Sequence, residues 1–153
     1  MPKVIFLDTN VFLHYRDFDL IDWREVVQSD AVTIVIPPVT VRELNQQKDS
    51  SPRRRVKRRA ANTIKKLYLF LESGSLGALP SGVRLCIEDR DPLPDHYTAH
   101  QLNWNVQDDQ IIASIISYRL ELTNSEIVLI TSYMGLTLVA KAKRSNISTI
   151  KLP

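Results

Sequence analysis

The order of apolar strands and amphipathic helices predicts an α/β protein: a three-layer sandwich with a central, mostly parallel sheet of about five strands flanked by helices. Two observations carry that expectation. Val4-Ile5-Phe6-Leu7, Val32-Thr33-Ile34-Val35-Ile36 and Ile127-Val128-Leu129-Ile130 are largely unbroken apolar runs, as expected of strands buried on both faces. Segments with helical periodicity lie between such runs, which is how parallel strands are joined.

The first strand ends at Asp8, a residue type that commonly caps a following helix. Residues 21–29 read as a short helix with Asp22 as its N-cap. The second strand is halted by Pro37 and Pro38, and residues 40–48 read as a helix. Pro52 suits the start of a long helix running to about residue 73. In it Val56, Ala60, Ile64, Leu67 and Leu71 form an apolar stripe, with Arg55, Arg58, Arg59, Asn62 and Lys66 on the other side. Residues 74–82 read as a loop, 83–87 as a third strand, and 88–106, with Pro92 and Pro94, mostly as loop. Residues 108–122 form a helix with Ile111, Ile112, Ile115 and Ile116 on one face. The strand at 127–130, a helix at 134–144 and a last strand at 148–152 complete the pattern.

At 153 residues, the chain is long enough for one domain, 1–153, with a substantial core. No apolar stretch approaches the ~20 residues needed to span a bilayer, and the N-terminus turns polar too early for a secretory signal. Cys86 alone excludes an internal disulfide framework and a cysteine-based zinc cluster. The expected location is the cytoplasm. The net charge of +3 conceals an asymmetry. Residues 48–66 hold nine Lys/Arg and one acid, whereas the rest of the chain carries a net charge of −5. A cationic segment on an acidic body suggests a grip for a polyanion beside an acidic site.

Ligands of open parallel sheets bind beyond the carboxyl ends of the strands. Asp8 ends the first strand, Glu43 follows the second, and Asp108 and Asp109 open a later helix. Singly, each acid has a duller reading as a cap, a solvated residue or a dipole-favoured helix start. Adjacent helical residues also point about 100° apart, so Asp108 and Asp109 do not aim equally at one ion. Together, carboxylates without a local basic partner call for a hard cation. Mg2+ or Mn2+ suits oxygen-only ligation, and a pair about 4 Å apart would serve phosphodiester cleavage.

The segments FLDTNVFL, IPPVTVRELNQQK, VQDDQIIAS and VLITSYMGLTLVAKA, in this order, resemble PIN domains from residue 4 to about 144. The resemblance implies a parallel-sheet ribonuclease with a Mg2+ or Mn2+ site made of three or four acids. It places the first acid at Asp8, the second at Glu43 and the third at Asp108 or Asp109, with Asp108 favoured. Asn10, beside the first acid, and Thr131 and Ser132, at the rim, would be supporting residues. The departure is Tyr133, which stands where the family commonly has the aspartate of a T-x-D motif. A phenol with a pKa near 10 is a poor magnesium ligand at neutral pH, so weakened activity is expected.

Arg53, Arg54, Arg55, Lys57, Arg58 and Arg59 would hold RNA phosphates in a salt-dependent, sequence-neutral way. Arg16, Lys141, Lys143 and Arg144 would extend that path. Trp23 and Trp104 are candidates for base stacking, with packing in the protein the more ordinary reading for both. The leading expectation is a Mg2+- or Mn2+-dependent endoribonuclease acting on single-stranded RNA, and the alternative is a non-catalytic PIN module that binds RNA or a protein. A haloacid-dehalogenase-like phosphohydrolase ranks last, because Asn10 occupies the place of its second acid. Neither the oligomeric state nor a protein partner such as an antitoxin is encoded in any motif.

Overall fold

A computed structural model describes residues 2–121, 125–131 and 148–152. Among these residues, seven strands form one sheet in the order β3-β4-β5-β2-β1-β6-β7. Its central strands are β1 (Lys3–Leu7), β2 (Val32–Ile36), β5 (Arg84–Ile87), β6 (Glu126–Thr131) and β7 (Ser148–Lys151). These five are all parallel, with β1 between β2 and β6. They coincide with the five strands expected from the sequence.

Because successive side chains of a strand point to opposite faces, β1, β2 and β6 each feed two cores. Ile5, Leu7, Ile34, Ile36, Val128 and Ile130 pack in one cluster with α1 (Thr9–His14), α3 (Pro38–Ser50) and α4 (Arg54–Phe70). Val4, Phe6, Val35, Ile127 and Leu129 face the other way, against Ile111, Ile112, Ile115 and Ile116 of α6 (Gln107–Glu121). The layers are therefore helix, sheet and helix. The strands read as continuous apolar runs because neither face meets water.

Four features depart from the sequence expectation. The long helix stops at Phe70 rather than near residue 73. Leu71–Ser73 instead forms β3, paired antiparallel with β4 (Leu76–Ala78), so the expected loop contains a hairpin. Gly74 makes its turn at φ +59, and Gly77 lies so close to the Phe70 carbonyl that a Cβ there would sit 2.0 Å from its oxygen. A short helix, α5 (Pro94–Ala99), lies within the stretch read mostly as loop, and it buries no residue, which is why no apolar stripe marked it. The expected helix at 21–29 is shorter, α2 (Trp23–Val27), and the Asp22 carboxylate accepts the Glu25 N–H at 3.3 Å, as its capping role requires. The helix expected at 134–144 lies outside the described residues.

Candidate active site at the carboxyl edge of the sheet

Strands β1 and β6 are neighbours, yet the chain leaves β1 toward β2 and leaves β6 toward β7, on the opposite side. Such a reversal point is where open α/β sheets build their ligand sites. Asp8 follows β1 and Thr131 ends β6, and the Thr131 hydroxyl donates to Asp8 Oδ2 at 3.1 Å across this point. Both side chains are buried. Asp8 occupies the N-cap position of α1, but its side chain makes no capping hydrogen bond. Its carboxyl is raised above the usual range, first by burial and then by the charge of Asp108, while Thr131 and the N–H groups of Asn10 and Thr9 offset part of this.

Glu43 projects from α3, one turn beyond the proline pair that ends β2. Burial pushes its carboxyl up to about 7, helped by the charges of Asp8 and Asp108. The hydroxyl of Thr9 hydrogen-bonds to it, and Arg42 opposes the shift weakly. Thr9 is a site residue that sequence reasoning missed. Only its place between Asp8 and Asn10 in the D-T-N segment hinted at it. Asn10 itself is exposed.

Asp108 and Asp109 part company. Asp108 is raised first by burial and then by the charge of Asp109, and it acts electrostatically on both Asp8 and Glu43. Asp109 is buried, and its Oδ2 accepts the Asn103 N–H at 2.8 Å. It is not among the charges that perturb Asp8 or Glu43. The fold thus gathers Asp8, Glu43 and Asp108 and commits Asp109 to the preceding loop. The angle between consecutive helical residues explains the split.

Among the described residues, no lysine or arginine forms an ion pair with Asp8, Glu43 or Asp108. The donors are carboxylate and hydroxyl oxygens, a set that suits a hard divalent cation. Also among the described residues, no three acidic, histidine or cysteine side chains stand close enough together to hold an ion as placed. Ser132 and Tyr133 lie outside the described residues.

The basic helix is α4, which packs against α3 and α1. Arg53, Arg54, Arg55, Lys57 and Arg58 are exposed. Arg59 is not available in the same way. It donates to the carbonyls of Phe12 and Tyr15 and pairs with Asp17 at 2.9 Å, so it fastens α4 to the end of α1. Lys66 likewise pairs with Asp17 and Asp19. The half-buried setting of Arg59 comes from its place at the α1 junction, which no local pattern reveals. Arg16 is exposed, whereas Lys141, Lys143 and Arg144 lie outside the described residues.

No helix among the described residues is long and apolar enough to cross a membrane. No curated protein matches the chain. Among solved structures, a member of the VapBC family of toxin–antitoxin systems, VapBC-5 from Mycobacterium tuberculosis, is similar with a TM-score of 0.52 and 17% sequence identity. The match covers 99% of this chain and 100% of that one, and at this identity it speaks for the fold alone. The sequence profile of the PIN domain matches residues 5–152. That span takes in every strand of the parallel core beyond the first two residues of β1, and with it Asp8, Glu43 and Asp108: the chain belongs to the PIN domain family.

Proposed function

We propose that the protein is a Mg2+- or Mn2+-dependent endoribonuclease that cuts single-stranded RNA, with Asp8, Glu43 and Asp108 as the metal-holding acids. One observation supports this reading: three carboxyls from separate elements are each raised by burial at the sheet's reversal point, Asp108 adding its charge to Asp8 and Glu43 and Asp8 to Glu43, with no basic side chain paired to them among the described residues. When bound, the cation would neutralise this charge and lower the cost of forming hydroxide from water near a phosphate. The chain's own residues do the remaining work. Thr131 orients Asp8, Thr9 orients Glu43, and the exposed arginines and lysine of α4 hold backbone phosphates. Asp109 supports the loop beside the site rather than the ion. The test is cleavage of a short single-stranded RNA with Mn2+. Cleavage is expected to vanish with EDTA and in Asp8→Asn, and its persistence in both would exclude this site.

A second reading, a PIN module that binds RNA or a protein without cutting, is favoured by Tyr133 in the place of the family's aspartate. The variant Tyr133→Asp separates the two. Faster cleavage supports a weakened nuclease, whereas inactivity of both forms supports binding alone. An antitoxin-like protein partner would belong to the first reading, as the setting of a toxin–antitoxin pair, and a homo-oligomer is compatible with both.

A further inference from the structure

Trp23 and Trp104 are the only tryptophans of the chain, and the fold treats them oppositely. Trp23 is wholly buried, with its indole N–H donated to the Phe18 carbonyl at 2.8 Å. Trp104 is 70% exposed. An indole left in water is costly unless something covers it. Trp104 borders a groove of about 770 Å3, which Arg42, Tyr97, Leu102, Asn105 and Gln110 also line. That is a volume suited to a small organic group.

The loop that carries Trp104 is firmly held. The Gln110 amide donates to the Trp104 carbonyl at 2.7 Å, and the Asn103 N–H donates to Asp109 at 2.8 Å. The Asn103 side chain accepts from Asn105 N–H at 2.9 Å. Arg42 spans the groove, donating to Asp91 at 2.9 Å and to Gln110 Oε1 at 3.4 Å. The backbone that carries the indole is thus held, which reduces the entropy lost on binding.

Two residues lining the groove stand on the helices that carry site acids, α3 and α6. Arg42 immediately precedes Glu43, and Gln110 lies two residues beyond Asp108 on α6. A strand whose phosphate lies at the acids would lay a neighbouring nucleotide here. We infer that this groove receives an unstacked nucleobase next to the scissile phosphate, with Trp104 as the stacking platform and Arg42, Asn105 and Gln110 meeting its polar edge. Every base has a π-face, so stacking itself favours single strands over duplexes without choosing a sequence. The inference rests on the ribonuclease reading for the identity of the strand, but its test is independent of cleavage.

Three oligomers of about eight nucleotides are titrated into the protein at low salt with EDTA, while tryptophan emission is followed: a single-stranded RNA, an abasic strand with the same backbone, and a blunt RNA duplex. With Trp23 enclosed, the single-stranded RNA is expected to quench Trp104, and the abasic strand and duplex to leave its emission nearly unchanged. Trp104→Ala is expected to weaken single-stranded RNA binding by roughly 10- to 100-fold, and Trp104→Phe by only a few-fold. RNA binding with unaltered emission and equal affinity in Trp104→Ala would overturn the base site while leaving the nuclease reading intact. Absence of any RNA binding at low salt would also overturn it. Base-dependent quenching in a protein that never cleaves RNA with Mn2+ would uphold the groove and sink only the nuclease.

Discussion

Replacing Glu43 with glutamine should stabilise the protein in EDTA while removing its response to metal. Glu43 sits at about 7 instead of its ordinary 4.5, chiefly because burial penalises its charge. A carboxyl raised on folding contributes stability that is complete below 4.5 and is lost as pH climbs through about 7. At about 1.4 kcal/mol for each tenfold change in proton affinity, the difference corresponds to roughly 3 kcal/mol. Partial exposure and screening make that an upper bound, and a glutamine amide lacking a partner would trim the gain further. Asp8 and Asp108, also raised, push in the same direction. The assay is urea unfolding in EDTA at pH 5 and pH 8.5. The unsubstituted protein should lose stability over that interval, and Glu43→Gln should lose about 2 kcal/mol less. Mn2+ at 100 times its dissociation constant should then restore about 2.7 kcal/mol to the unsubstituted protein at pH 8.5 and far less to the variant. Parallel pH profiles for the two proteins would refute the reasoning, because Glu43 would then ionise as freely folded as unfolded.

The divergence of the two adjacent helix acids makes a sharp contrast. Asp108→Asn should abolish Mn2+-dependent cleavage with little loss of stability, whereas Asp109→Ala should cost about 1–3 kcal/mol by stranding the Asn103 N–H, with residual cleavage. The reverse pattern would reassign the third acid. Charge reversal at Arg54, Arg55 and Arg58 should abolish RNA retention in filter binding and flatten its salt dependence, and unchanged affinity at low salt would remove α4 from the binding path. Arg59→Ala should lower stability by roughly 2 kcal/mol in urea unfolding, since two carbonyls lose their donor and Asp17 keeps only Lys66. A neutral outcome there would return Arg59 to the solvated RNA-facing set.

Much of the candidate site could be anticipated because its elements advertise themselves locally. Asp8 and Glu43 each follow a strand that is apolar on both faces, and a parallel sheet directs such positions to one edge. The hairpin of β3 and β4 could not be anticipated in the same way. Its strands are three residues each and lie at the sheet margin, too short to show the alternation that marks a half-buried strand. Helix α5 buries nothing and likewise leaves no periodic trace.

Local sequence determined the parallel core, the three layers and the set of acids available, because burial and strand or helix periodicity are written residue by residue. Tertiary structure alone decided which acids meet and what their neighbours do. It turned Asp108 toward Asp8 and Glu43 and Asp109 toward Asn103, recruited Thr9 and Thr131 as hydroxyl donors, and drew Arg59 into the α1 junction. It also enclosed Trp23 and left Trp104 in the open. Those outcomes depend on distances between segments far apart in the chain, and repulsion, desolvation and hydrogen bonding act through such distances rather than through sequence spacing.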